Sequence, residues 1–178
     1  MAATVIINEW NDDGTSPTGV KTDKTAGTIR FKNADDAAVD LNDPLVVPTS
    51  GQEYSFEKWL RLAITGGAFT QVDNLRAYSD GASGFGTGIK AWYAVDGAFT
   101  SPVVPAEVND PPQHDAVAMS DFFAATSGAP IDLDAVNAGP FTAAGDIGDW
   151  LVLVLEVETT AAQGVLAAET VTFAYDEI

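Results

Sequence analysis

Apolar and polar side chains alternate with a period of two along much of this chain, the signature of strands whose successive side chains point to opposite faces. "TVIINEW" (4–10) opens the series, and "TIRFK" (28–32) puts Ile29 and Phe31 on one face and Arg30 and Lys32 on the other. "YSFEKWLRLAIT" (54–65) runs into Gly66 and Gly67, a turn signal, and then into "TQVDNLRAYSD" (70–80), a pair expected to form a hairpin. "GIKAWYAV" (88–95) follows the glycine-rich "DGASGFGTG", expected to be a mobile connection. "DWLVLVLEVE" (149–158) and "ETVTFAYDEI" (169–178) bracket "TTAAQGVLAA" and are expected to form a long terminal antiparallel pair. Leu151, Leu153, Leu155 and Val157 share one face of the first strand. Trp150, Val152 and Val154 share the other, which turns polar at Glu156 and Glu158. The early part of that strand should therefore be covered on both sides and the later part on one.

Strands at this spacing predict an all-β fold, an antiparallel β-sandwich of jelly-roll type with long irregular loops, and 178 residues suit one domain over residues 1–178. "DAVAMSDFFAAT" (115–126) is the only rival helix. Residues 96–149 differ in kind: "SPVVPAEVNDPPQHD" carries four prolines and "SGAPIDLDAVNAGP" more breakers. That span, and residues 10–27, are expected to be extended loops or arms.

"YSFEKWLRL" (54–62) combines apolar and basic residues unusually closely. Strict alternation places Tyr54, Phe56, Lys58, Leu60 and Leu62 on one face, so Lys58 falls among core positions. Either a bulge near 57–58 shifts the register, or Lys58 reaches solvent at a sheet edge. The opposite face, Glu57, Trp59 and Arg61, has the composition of an interface anchor. The alternative is a Trp packed under a loop with Arg61 in a surface ion pair.

Composition changes this picture chiefly through charge. Eight Lys and Arg stand against 26 Asp and Glu, a net charge of -18, so the surface should repel phosphate backbones and nucleic acid is not an expected partner. All eight basic residues precede residue 91, where they meet 12 acids (-4), and 14 acids with no base follow (-14). This asymmetry fits an acidic face meeting a basic partner or crowded copies of itself, and equally a halophilic or marine origin. With no cysteine, no disulfide framework or thiol chemistry is available. No stretch approaches a membrane span, and "MAATVIINEW" lacks the pattern of a secretory signal, so cytoplasmic synthesis and no membrane association are expected.

Catalytic patterns are weak. The single histidine, His114, lies in the proline-rich segment without a Gly-x-Ser-x-Gly turn and reads as a loop residue. Glu156 and Glu158 read as a solvated strand end rather than a glycosidase pair. The acidic loops at 11–14, 33–43 and 73–81 lack EF-hand spacing, and "GASGFGTG" lacks the Lys-Ser/Thr ending of a phosphate loop. No enzyme activity, cofactor or metal is expected. Trp10, Trp59, Trp92 and Trp150 could stack on sugars, although core packing is the default for those in strands.

Through "YSFEKWLRL", "NLRAYSDG", "GTGIKAWYAV" and "DWLVLVLEVETTAAQG" running into "ETVTFAYDEI", the chain resembles a group of small virion proteins of tailed bacteriophages, over about residues 52–178. The proline-rich middle departs most. The resemblance implies a non-enzymatic capsid decoration (cement) protein on the outer surface of the virion. It would lock neighbouring copies of the major capsid protein and itself be oligomeric, commonly a trimer. Trp10, Trp59, Arg61 and Arg76 are the candidate interface anchors. The other expectation is a carbohydrate- or receptor-binding module of a tail fibre or surface protein, which would need an exposed tryptophan platform.

Overall fold

The computed structural model describes residues 2–12 and 19–178. In chain order the strands are β1 (Ala3–Asn11), β2 (Val20–Asp23), β3 (Gln52–Tyr54), β4 (Lys58–Gly67), β5 (Val72–Tyr78) and β6 (Ile89–Asp96). After them come β7 (Gln113–His114), β8 (Val117–Ala118), β9 (Ser120–Asp121), β10 (Ile131–Asp132), β11 (Gly145–Glu158) and β12 (Thr172–Glu177). The fold is an all-β antiparallel sandwich whose large sheet curls into a half-barrel. Its order is β2-β1-β4-β11-β6-β9, with β3 also on β11, and a smaller sheet runs β10-β5-β12. The stretch weighed as a helix holds β8, β9 and a single 3-10 turn, Phe122–Ala124.

β11 is the spine, and its alternation divides the molecule into two cores as the pattern predicts. Leu151, Leu153 and Leu155 face the first core, shared with Leu60, Leu62 and Ile64 of β4 and with Val72, Leu75 and Ala77 of β5. Trp150, Val152 and Val154 face the second, an aromatic layer with Trp10, Tyr54, Trp59, Phe99 and Met119. The first core lies between the two sheets, and the second lies under the excursion that follows β6. Burial on both faces explains the unbroken apolar run of β11.

Strand pairing departs from expectation twice. β4 and β5 do not form a hairpin: β4 lies between β1 and β11, whereas β5 pairs with β10 and β12. β11 and β12 likewise lie in different sheets. In both cases the chain crosses the sandwich, because the leucine faces of β4 and β11 need a second apolar layer over them more than an adjacent strand. Gly67 makes the crossing after β4 possible: it has φ +98°, and a Cβ there would lie 2.2 Å from the Ala2 carbonyl oxygen.

Two bulges shape the strands around the second core. Along β11, three steps separate Leu153, opposite Lys58, from Glu156, opposite Tyr54, while four separate Lys58 from Tyr54. The extra residue reverses the alternation, so Tyr54 joins Trp59 in the second core rather than Leu60 in the first. Lys58 nevertheless stays inside, fully buried. The second bulge lies in β11 between Ile147 and Leu151. There Gly148 has φ +68°, and a Cβ would come within 2.4 Å of the Leu133 carbonyl oxygen.

The segments expected as arms are partly structured. Val20–Asp23 of the first forms β2 against β1, while residues 13–18 lie outside the described residues. The second carries β7 to β10 as short strands between irregular stretches.

Candidate functional site

Long segments without regular structure need partners for their backbone groups and some means of staying on the sheet. Here those means are buried carboxylates. Glu9, Glu57, Asp149 and Glu156 are each almost inaccessible, and each is held by cations or N–H donors. A buried carboxylate is tolerated only when so paired.

Glu9 continues the first-core face of β1 past Val5 and Ile7. Lys58 Nζ donates to its Oε1 at 3.1 Å, and Lys24 Nζ lies 3.4 Å from Oε2. Both lysines reach onward to backbone: Lys58 to the Asp36 carbonyl at 2.7 Å, and Lys24 to those of Thr28 at 3.0 Å and Ala37 at 2.6 Å. Lys32, also buried, donates to Asp36 at 3.0 Å and Asp40 at 2.9 Å. The hydrogen bond that it donates to Asp40 raises the pKa of Lys32, and the same bond holds Asp40 below the ordinary carboxylate value. Lys24 and Lys58 thus pin residues 24–45 to Glu9 of β1, and Lys32 ties the segment to itself. Lys58, the misplaced charge of the sequence pattern, is one of the pins.

Glu57 is carried inward by the bulge between β3 and β4. Trp59 Nε1 donates to its Oε2 at 3.0 Å and the Val103 N–H does so at 3.3 Å, while His114 Nδ1 lies 2.8 Å from Oε1. The other ring nitrogen, Nε2, lies 3.1 Å from Asp96 Oδ2. Against the burial that lowers it, the hydrogen bond to Glu57 and its charge, helped by Asp96, raise the His114 pKa to about 9. The imidazole also packs edge-on against Trp59, with centroids 5.1 Å apart. His114 is therefore a buried anchor rather than the loop residue expected. The signal available in the sequence was Glu57 and Trp59 sharing one strand face beside a misfit lysine.

Two further anchors hold the same excursion. Asp149, in the β11 bulge, accepts from the backbone of Val136 at 2.9 Å and Asn137 at 2.8 Å, and from Asn137 Nδ2 at 2.8 Å. Tyr54 Oη donates to the Asn109 carbonyl at 2.6 Å, and Gln52 Nε2 donates to that of Glu107 at 2.6 Å. Glu156 is buried rather than solvated: Trp92 Nε1 donates to it at 2.6 Å and Lys90 Nζ at 3.1 Å.

The four candidate interface residues separate. Trp10 and Trp59 turn inward: Trp59 packs edge-on against Phe99, and Trp10 lies 5.5 Å from Trp150. Arg61 joins them at the margin, its guanidinium 3.8 Å over the Trp150 ring and its Nε donating to the Gly148 carbonyl at 2.9 Å. Arg76 lies apart on the smaller sheet, paired with Asp176 at 2.7 Å. Trp150 is buried as well, and Trp92 is half-buried.

Among the described residues, six of the eight basic side chains form ion pairs within the chain, and Arg61 lies on Trp150. The excursion presents apolar side chains to solvent: Val103, Val104, Val108, Val117 and Val136 are all exposed, Val108 by 88%. Val39 and Leu41 do the same on the lysine-pinned segment, and Val46 just after it. A cavity of about 780 Å³ opens beneath that segment, between Ile29, Phe31 and Leu45 on one side and Leu155 and Phe173 on the other. No helix among the described residues is long and apolar enough to cross a membrane. Comparison with protein families, curated proteins and solved structures finds no match to this chain.

Proposed function

We propose that this chain is a non-enzymatic structural protein of a tailed-phage virion, of the capsid decoration type, acting on the outer capsid surface by bridging neighbouring major capsid proteins. The observation that carries this reading is the set of exposed valines on an excursion anchored to the sheet at Glu57, His114, Tyr54 and Asp149. Exposed apolar side chains on a positioned segment mark an interaction surface, and holding the segment in advance lowers the entropy lost on docking. The resemblance of the strand phrases supplies the class of partner. The acidic exterior supports an outer rather than a DNA-facing position. Repetition over a shell lets a modest interface suffice.

Purified protein should bind empty capsids in many copies. The double variant Val108→Asp, Val117→Asp, which alters only exposed positions, should bind at least roughly tenfold more weakly with unchanged melting. Capsids that take up neither protein would overturn the proposal. Capture on a glycan array instead would replace it with the sugar-binding alternative, although Trp10, Trp59 and Trp150 are buried and do not form the platform that reading requires.

A further inference from the structure

His114 is nine-tenths buried, and every group presented to its two ring nitrogens is an acceptor. Glu57 Oε1 lies 2.8 Å from Nδ1, and the Glu57 carboxylate is itself fixed by Trp59 and by the Val103 N–H. Nδ1 therefore carries the hydrogen, and the lone pair of a neutral ring lies on Nε2. That lone pair points at Asp96 Oδ2, 3.1 Å away. Two acceptors facing each other require a cation between them, a proton or a metal ion.

The surroundings suit a metal ion. A ring nitrogen of His114 and carboxylate oxygens of Asp96 and Asp115 all lie within 4.8 Å of one another. Zinc–ligand bonds of roughly 2.0–2.2 Å place neighbouring ligand atoms roughly 3.3 Å apart in a tetrahedron, close to the separation of Nε2 and Asp96. Asp115 is exposed, so its carboxylate is the member able to close the remaining distance. A ligating histidine ordinarily donates its other N–H to a carboxylate, which sets tautomer and ring orientation, and Glu57 occupies that position. The other Asp96 oxygen, Oδ1, accepts from the Ala98 N–H at 2.9 Å, orienting this ligand too.

We propose that Asp96, His114 and Asp115 bind one divalent transition-metal ion of the zinc class, with Glu57 orienting the imidazole. Imidazole with two carboxylates favours zinc-like ions over magnesium or calcium, which prefer all-oxygen sets. Asp96 ends β6, while His114 ends β7 and Asp115 opens the turn to β8, so the ion would clasp the excursion to the large sheet. This inference is independent of the virion reading.

The chain has one histidine and no cysteine, so its only imidazole can be followed without ambiguity. Zinc titrated into the metal-free full-length protein should bind at one equivalent, shift the ¹⁵N resonance of Nε2 to the metal-bound range and leave the Nδ1 proton in place. Asp115→Asn is the informative variant, because Asn tolerates the left-handed backbone at φ 47° and the side chain lies at the surface. It should weaken zinc binding at least roughly tenfold without changing melting of the metal-free protein, whereas Asp80→Asn should bind as the parent does. An Nε2 that stays protonated in millimolar zinc overturns the proposal. So does equal binding by Asp115→Asn, which would assign the ion to the general acidic surface.

Discussion

The two anchored segments are held by opposite solutions to the same problem. Residues 24–45 are tied down by Lys24 and Lys58, buried lysines that converge on Glu9 and on backbone carbonyls. The excursion after β6 is tied down by carboxylates that receive N–H donors, with one imidazole between Glu57 and Asp96. Every basic residue of the chain precedes residue 91. The first segment could therefore be held by cations close in sequence, but the second had to use backbone and side-chain amides, a tyrosine hydroxyl and a histidine. Charge asymmetry along the sequence thus becomes a difference in bonding chemistry between two parts of one surface.

Removing the centre of the lysine cluster should break this comparison most severely. Glu9→Gln leaves Lys24 and Lys58 buried without their counter-charge, a situation that costs about 3–5 kcal/mol. For a chain of this size that lowers the melting temperature by about 6–20 °C. A loss below 1 kcal/mol in a denaturant titration would show that the lysines are not the clasp.

Glu57→Gln should cost less, about 1–3 kcal/mol, because an amide still accepts from Trp59 while losing a charge-assisted bond to His114. Hydrogen exchange should locate the damage: the amide of Val103 gains exchange, while that of Asn33, bonded to the Asp43 carbonyl, keeps its protection. Equal loosening of both segments would mean the anchors act as one unit.

Arg61→Ala removes the guanidinium over Trp150 and a bond to the Gly148 carbonyl, and about 1–2 kcal/mol should be lost. Arg61→Lys should recover part of it, since the ammonium keeps the cation–π contact but loses the planar stack.

Acid should distinguish the two segments without mutation. Asp40, lowered by its bond from Lys32, contributes stability that is complete above its unfolded pKa and is lost as pH falls through its depressed folded value. Lys32 is raised, so its contribution is complete below its unfolded pKa and lost as pH rises through the elevated folded one. Amide protection across residues 30–45 should accordingly fall below about pH 4 and again above about pH 10.5, while that of β11 persists. Uniform loss across the chain at either limit would contradict the assignment.

The smallest effect belongs to Arg76, whose ion pair with Asp176 is open to solvent. Arg76→Ala should change stability by less than about 1 kcal/mol, and by less still at high salt.

Alternation alone assigned the side chains of β11 to two faces correctly, because the period of a strand is a local property. It also marked Lys58 as an anomaly and placed a bulge beside it as one resolution. It could not choose partners: the hydrogen-bonding edge of β4 is the same whether β5 or β11 lies beside it. The crossings after β4 and β11 were therefore settled by the need to cover two leucine faces at once. His114 and Glu156 were misread for a related reason. Their burial depends on Asp96, Glu57, Lys90 and Trp92, which come from distant parts of the chain or adjacent strands, and no local pattern records such encounters.

The sequence by itself determined the strand periodicity, the all-β class, the acidic imbalance and the position of the irregular segments, each a consequence of residue type and near-neighbour spacing. Only the tertiary structure decided which strands pair, that Tyr54 turns to the opposite core through one extra residue, and that isolated charges become anchors. Packing brings distant residues together in a low-dielectric interior, where an unpaired charge is intolerable and a paired one can hold a segment in place.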